Sequence, residues 1–407
     1  MSAGLPLTDR TRRRPDSSQA TGGVEHVITG LNVGGAELIL SRLVRRGGRF
    51  RHSVISLSGN GVVGDGLSRD GVPVESLDMR KDPRALVDLA RLRRLLQSRR
   101  PLVVQTWLYH ADLAGGLAAG RTGVPVIWNL RQTDVGRGVH KLNTVVVIRM
   151  CALLSRVLPD CIVCGSSSAL TVHGRMGFDT RRMVVIRNGV DTRIFRPRSG
   201  GREELRQELG IGDDALLVGR VGRFHPQKDY PGFIEVARLV AAEDPRAVFV
   251  LAGDGVTWTN QNLVRAIKRH GLESRMHLLG QRIDMPRIMA GLDLLVSSSI
   301  FGEGFPNVIA EGMSCGVPCI ATGVGDSEEL VSDDGRIAAP GDYEGLARAS
   351  IRLLSLKAED RARTGLRDRD RIVKHFEIGA MVDSYEALYQ RVATQVQQRG
   401  NDRAHGT

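Results

Sequence analysis

The stretch LDLLVSSSIFGEGFPNVIAEGMSCGVPCIAT (292–322) holds two short apolar runs, LDLLVSSS (292–299) and VPCIAT (317–322), around a glycine-rich loop and a helical segment. An apolar run that stops at serines reads as a strand, and Pro306 suits the first turn of the helix that follows, where its missing N–H costs nothing. Strand, helix and strand in succession is the unit of a parallel, doubly wound sheet.

The same alternation extends outward from this stretch. ALLVGRVGRF (215–224), AVFVLAGDG (247–255) and RMHLLGQ (275–281) precede it as strand candidates. The polar segment VDTRIFRPRSGGREELRQELGIGDD (190–214), with Pro197 and Gly200-Gly201, reads as a linker and a short helix. Before it, seven further apolar runs read as strands: 24–31, 52–57, 72–78, 102–107, 124–130, 161–166 and 183–189. Helical patterns lie between them, among them 36–46 and 84–98. The expected fold class is α/β, with two Rossmann-like, doubly wound parallel-sheet domains facing a cleft. Ligands bind such domains at the carboxyl ends of the strands. Near the end, FEIGAMVDSYEALYQRVATQV (376–396) spaces Val382, Tyr385, Leu388, Tyr389 and Val392 as one face of an amphipathic helix.

Composition agrees with this. A chain of 407 residues is too long for one core, and 42% hydrophobic with 25% charged residues is ordinary for a globular protein. Forty-eight glycines imply many tight turns or close approaches of backbone to ligand. No apolar run is long enough for a transmembrane helix. Residues 1–22 lack the apolar core of a secretory signal and read as a disordered basic tail. Five cysteines form no disulfide framework, and Cys161 and Cys164, three apart on a strand, face opposite ways, which fits a reducing cytoplasm. The net charge of +12 is unevenly placed: residues 1–190 hold 28 Lys and Arg against 14 Asp and Glu, and the remainder holds 29 against 31. A partner met by the basic half alone is anionic, either nucleic acid or an anionic membrane surface.

Three segments carry the chemistry. Gly34-Gly35 leads from the first strand straight into a helix, a place where amides can meet an anion, and it lacks the spacing of a dinucleotide fingerprint. VGRFHPQKDY puts Arg223 and Lys228 just past a strand end, where a guanidinium fork and an ammonium suit a diphosphate. EGFPNVIAE (303–311) puts Glu303 in a loop and Glu311 in the following helix. Carboxylates are poor phosphate ligands and good acceptors from hydroxyls, so the pair suits a ribose and a sugar beside the diphosphate. The whole describes a nucleotide-sugar. No acidic D-x-D pair stands at a strand end, so no metal and no cofactor is expected, the cations and helix amides neutralising the leaving group instead.

These residues resemble the retaining glycosyltransferases of family 4, of GT-B fold. The resemblance is carried by GGAE (34–37), VGRFHPQK (221–228), LAGDG (251–255), LLGQ (278–281), EGFPNVIAEGMSCGVPCIAT (303–322) and SEEL (327–330). TGLNVGGAE and QTWLYHADLAG (105–115) are similar to a subgroup that builds bacterial surface polysaccharides. The resemblance implies an acceptor domain over 23–190, a donor domain over 191–376, and a terminal helix, 377–396, that crosses back to the first domain. It implies that Gly34 and Gly35 lend amides to the donor diphosphate beside Arg223 and Lys228. Glu311 would hold the ribose hydroxyls. Glu303 and the backbone of Phe305, Pro306, Asn307 and Val308 would hold the donor sugar, Pro306 through its carbonyl. The base would lie near Gln281, Arg282 and Ile283. Where family members often carry a histidine after the fifth strand, this chain has WNLRQTD, which leaves His110 and Arg131, beside Glu303, as catalytic candidates.

The expected reaction is metal-independent transfer of a hexose with retention, from a nucleotide-sugar, UDP in preference to GDP, to a lipid-linked glycan or polysaccharide precursor. HKLNTVVVIRMCALLSRVL (140–158) reads as an amphipathic basic helix that rests on anionic lipid, making the enzyme cytoplasmic and peripheral at the inner face of the cell membrane. A nucleotide-sugar epimerase of the same architecture is the alternative within the fold. A basic nucleic-acid-binding protein is the alternative outside it; only 4% aromatic residues, not interleaved with cations, argue against nucleic acid as a partner.

Overall fold

The computed structural model describes residues 22–32, 34–79, 85–120, 122–133 and 141–405. The chain divides into two compact units: one runs up to Gly189 and resumes at Ile378, and the other is Val190–Glu377. The tail expected over 1–22 falls, except for Gly22, outside the described residues.

The first unit alternates β1 (Gly23–Ile28), α1 (Gly35–Arg46), β2 (Arg51–Ser56), α2 (Gly61–Arg69), β3 (Val74–Ser76), α3 (Ala85–Arg99), β4 (Val103–Trp107), α4 (Tyr109–Ala119), β5 (Val126–Leu130), α5 (Leu142–Leu154), β6 (Cys161–Cys164), α6 (Ser167–Arg175) and β7 (Met183–Val185). The second continues with α7 (Gly201–Leu209), β8 (Leu216–Val221), α8 (Tyr230–Glu243), β9 (Ala247–Ala252), α9 (Gln261–Arg269), β10 (Met276–Leu278), α10 (Met285–Ala290), β11 (Leu294–Ser297), α11 (Asn307–Ser314), β12 (Cys319–Thr322), α12 (Ser327–Val331), β13 (Ile337–Ala338), α13 (Tyr343–Leu354) and α14 (Ala358–His375). α15 (Ile378–His405) then returns to the first unit.

Both sheets are parallel, with strand orders β3-β2-β1-β4-β5-β6-β7 and β10-β9-β8-β11-β12-β13. Every strand named from the sequence is present. β13 was not anticipated, because two residues leave no periodic signal. Each sheet reverses its winding once, between β1 and β4 in the first and between β8 and β11 in the second. Such switch points open a crevice at the carboxyl ends of the two central strands.

Each sheet is covered on both faces, which is why its strands are apolar throughout. In the first unit α1 and α15 close one face, with Val382, Tyr385, Leu388, Tyr389 and Val392 buried against Val24, Ile28 and Trp107. The other face packs residues of α3, α4, α5 and α6. Cys161 lies in the first of these cores and Cys164 in the second, and all five thiols are free and buried.

Candidate functional site

The switch point of the second sheet gathers the loops that follow β8 and β11. Ser298 Oγ donates to the Asp229 carbonyl at 3.0 Å and the Lys228 carbonyl at 3.2 Å, and the Ile300 amide donates to the Gln227 carbonyl at 3.0 Å. These bonds stitch HPQK to the end of β11. They bring Lys228 onto Glu303, 75 residues later: the ammonium donates to Glu303 Oε1, which also accepts from Ser299 Oγ at 2.7 Å. The pair is mostly shielded, with 18% of the lysine and 10% of the glutamate side chain exposed.

Behind the pair stands Arg220, fully buried at the end of β8. It donates to the Val221 carbonyl at 2.8 Å and to the Lys228 carbonyl, with its guanidinium 5.2 Å from the Tyr230 ring centre. Arg223 lies on the exposed side of the same loop and has no carboxylate partner among the described residues. Three cations thus stand around two carboxylates, Glu303 and Asp229; among the described residues Lys228 alone of the three forms an ion pair here, with Glu303. Burial pushes the Glu303 carboxyl up, and the adjacent Lys228 overcomes it, so Glu303 is held below its usual range and ionised. For Lys228 burial prevails, aided by Arg220 and Arg223, and its pKa falls despite the attraction of Glu303. Three cations against two carboxylates leave the cluster net positive, which is the electrostatic condition for taking an anion.

Two glycines fix this geometry. At Gly325 φ is +66°, and a Cβ there would stand 2.4 Å from the carbonyl oxygens of Glu303 and Gly304. The neighbouring Asp326 amide donates to the Gly304 carbonyl at 2.9 Å, so the loop after β12 props the EGF turn from below. At Gly253 φ is +152°, and a Cβ would fall 1.9 Å from the Gly222 carbonyl oxygen, so only glycine lets the ends of β8 and β9 approach this closely.

EGFPNVIAE splits its tasks between backbone and side chain. Phe305 is buried in the core, its ring 5.6 Å from that of Phe376. Its amide and that of Val308 have no backbone acceptor among the described residues. Pro306 caps α11 rather than starting it, and its carbonyl accepts from Ile309 at 3.0 Å and Ala310 at 3.3 Å. That corrects the sequence reading: the helix already uses the Pro306 carbonyl, so it is not available to a sugar. Asn307 opens α11, and Glu311 sits half-buried one turn further on.

The loop after β10 needs a similar correction. Arg282 donates twice to Asp284, each at 2.8 Å, and once to Glu208 at 2.8 Å. Arg287 joins the same two carboxylates. The Arg282 guanidinium is therefore committed within the unit, and only its backbone can read a base. Gln281 and Ile283 remain exposed, Ile283 by 54%.

In the first unit, Gly34 and Gly35 follow β1 at the switch point. Gly34 caps α1 with extended backbone, and open space lies around the Gly35 Cα. Glu37, in the first turn, folds back so far that a Cβ on Gly34 would lie 2.3 Å from its carboxylate. An acidic group therefore stands at the helix end expected to take a phosphate, a feature the GGAE string did not disclose.

His110 is exposed in the first turn of α4, on the other side of the switch point, after Leu108 at φ +72°. Beneath it Asp112 is fully buried, accepts from Thr106 Oγ1 at 2.5 Å, and is pushed up by burial to about 8.

Arg131, expected as a catalytic candidate, is engaged within its own unit. Its Nε donates to Asn129 at 2.7 Å, its other nitrogens donate to Asn188 and to the Tyr385 hydroxyl, and its guanidinium lies 5.2 Å from the Trp107 ring centre. A guanidinium held on three sides braces α15 and the loop after β7 against the sheet.

Two family descriptions match the chain in tandem: "Glycosyltransferase Family 4" over residues 33–194 and "Glycosyl transferases group 1" over 215–356. The chain belongs to glycosyltransferase family 4, with the GT-B fold. It is 26% identical over 324 residues to UDP-Gal:alpha-D-GlcNAc-diphosphoundecaprenol alpha-1,3-galactosyltransferase of Escherichia coli, covering 77% of this chain and 81% of that one. It is 28% identical over 234 residues to N-acetyl-alpha-D-glucosaminyl L-malate synthase of Bacillus anthracis, covering 56% of this chain and 59% of that one. Among solved structures, Anabaena HepE in complex with UDP and glucose superposes with a TM-score of 0.78 at 22% identity, over 91% of this chain and all of that one, a likeness of fold.

Proposed function

We propose that this glycosyltransferase moves a hexose from a UDP-sugar, with retention and without a metal ion, to a lipid-linked glycan or polysaccharide precursor. The observation that carries the reading is the cluster at the β8 and β11 ends, where Lys228 pairs with Glu303 and Arg220 and Arg223 stand beside them. Two of these cations, Arg223 and Lys228, with the amides of Phe305 and Val308 nearby, suit a diphosphate flanked by a sugar. The galactosyltransferase of E. coli, named for a UDP-sugar donor and a diphosphoundecaprenol acceptor, supports the choice of donor and acceptor class.

In this scheme the bond from the anomeric carbon to the diphosphate oxygen breaks while a bond to the acceptor hydroxyl forms on the same face. The hydroxyl proton passes to the departing diphosphate oxygen. No strong enzymic base is needed, and the protein supplies orientation and charge. Lys228 and Arg223 stabilise the leaving oxygens. Glu303, released from part of its bond to Lys228 when the diphosphate arrives, accepts from a sugar hydroxyl. Within the second unit, Glu311 accepts from the ribose, and Ile283 and Gln281 flank the base. The site of action is cytoplasmic, at the inner face of the membrane.

A donor screen with the purified chain, reading nucleotide diphosphate release in the presence of EDTA, tests the class of donor and the absence of a metal. Calorimetry on Glu311→Ala tests the ribose assignment: each lost charged hydrogen bond is worth roughly 1.5–3 kcal/mol, so donor affinity falls about tenfold or more. Unchanged affinity refutes that role.

A further inference from the structure

α5 departs from its sequence reading in an informative way. It is not amphipathic. Ile148, Cys151 and Ala152 are buried toward the sheet, yet the opposite face is also apolar: Leu142 is 81% exposed, Val146 55%, Met150 43% and Leu153 67%. Val157, just past the helix end, is 69% exposed and continues the line.

At about 100° per residue these five side chains fall within an arc of about 80°. Arg149 and Arg156, both exposed, lie along one edge of that arc, and Lys141 caps the helix. From Lys141 to Leu158 there is no carboxylate. A surface helix ordinarily turns polar residues outward, and a helix that is apolar all round is covered by something.

We infer that this stripe is a docking surface for an anionic lipid bilayer, with Leu142, Val146, Met150, Leu153 and Val157 entering the acyl boundary and Arg149 and Arg156 meeting the headgroups. Charge chooses the occupant. The stripe is edged by cations alone, and it lies in the half of the chain that carries the whole basic excess, 28 Lys and Arg against 14 Asp and Glu. A second copy of this face would set Arg149 and Arg156 against their own kind. No helix of the described residues is long and apolar enough to cross a membrane, so α5 would lie in the interface plane.

The inference rests on the reading of the acceptor as lipid-linked, and gives that reading a place on the protein. The test is cosedimentation of the full chain with vesicles of equimolar phosphatidylglycerol and phosphatidylcholine, and with phosphatidylcholine alone. The wild type is expected to bind the anionic vesicles and to release them at high salt. Leu142→Ser with Leu153→Ser should weaken binding at least about tenfold, since each buried apolar side chain contributes strongly. Arg149→Glu with Arg156→Glu should abolish the preference for anionic lipid.

Donor calorimetry on each variant keeps the outcomes separate. Lost vesicle binding with donor binding intact is the expected result. Vesicle binding by the wild type with no nucleotide-sugar bound would sink the proposed function and leave this surface standing. A nitroxide on Leu153→Cys, immobilised by anionic vesicles, reads the same contact without deleting the stripe. Wild type that ignores anionic vesicles, variants that bind as tightly as wild type, or a wild-type dimer that the serine variant dissociates would each overturn the inference.

Discussion

Replacing Glu303 by Gln removes one charge from a pair that the fold has taken out of water. Lys228 would keep its ammonium, 18% exposed, with Arg220 and Arg223 as like-charged neighbours and no carboxylate facing it. Removing one partner of a buried ion pair typically costs 3–5 kcal/mol, because the other charge is stranded. Lys228 can shed part of that cost by losing its proton, since its pKa is already lowered, so we expect roughly 3 kcal/mol. Lys228→Met added to Glu303→Gln should then recover about 2 kcal/mol, because the orphan charge is gone. The Glu303 term has a defined pH window. Its folded pKa lies below the ordinary 4.5, so the stability it contributes is present above that value and lost as pH falls through the folded one. Hydrogen exchange read on peptides of β8 and β11 is the assay, because a chain of two units does not unfold in one step. A cost below about 0.5 kcal/mol, with no relief in the double variant, would refute the claim that this pair is a buried, functional electrostatic unit.

Arg131→Ala should destabilise the first unit and expose α15 to exchange while leaving nucleotide-sugar affinity unchanged by calorimetry; a loss of transfer with stability intact would support the catalytic role. The buried His173 contributes a stability term that acid removes, opposed by Asp112, whose carboxyl burial pushes up to about 8. His173 is fully buried, its Nδ1 donates to the Ala169 carbonyl and its Nε2 accepts from the Tyr109 hydroxyl, each at 2.7 Å, and burial lowers it to about 4. The unfolded chain takes up that proton first, so about 3 kcal/mol is lost between pH 6.5 and about 4, and the buried His26 adds in the same direction. Denaturant titrations of wild type and His173→Gln at neutral and mildly acidic pH check it: the stability difference between the two should shift by about 3 kcal/mol in the variant's favour as pH falls to about 4. Gly325→Ala meets two carbonyl oxygens at 2.4 Å, so it should shift the EGF turn and weaken donor binding by at least about tenfold, at a stability cost of 1–3 kcal/mol; unchanged donor affinity would show that the prop is not needed.

What the sequence discloses follows from the range of the interactions involved. Strands such as Ala247–Ala252 and Leu216–Val221 announce themselves because burial on both faces demands continuous apolar runs. The spacing of Tyr385 and Tyr389 on α15 is equally local. The site is legible to the extent that it lies at strand ends, which is how Arg223, Lys228 and Glu303 are found. Their mutual arrangement is not legible. Lys228 and Glu303 come together only because Ser298 and Ile300 bind the HPQK loop, contacts made across some 70 residues. Arg220 is hidden for another reason: inside an apolar strand an arginine gives no sign of whether it turns inward. Arg131 reads as a catalytic substitute for a missing histidine, and its bond to Tyr385, 254 residues on, gives no local sign. In α5 the sequence suggests a lipid-facing helix but an amphipathic one, because uniform apolarity erases the periodicity that would assign its outer face.

The measurement that bears most directly on the account is the rate of nucleotide diphosphate release from a UDP-hexose, with acceptor and EDTA present, by wild type and by Arg223→Ala. The cluster requires that wild type turn over without a divalent ion and that the variant lose at least about a hundredfold in kcat/KM, the usual consequence of deleting one preorganised group at a developing charge. Wild type inactive until a divalent ion is added, or a variant with undiminished kcat/KM, would contradict it.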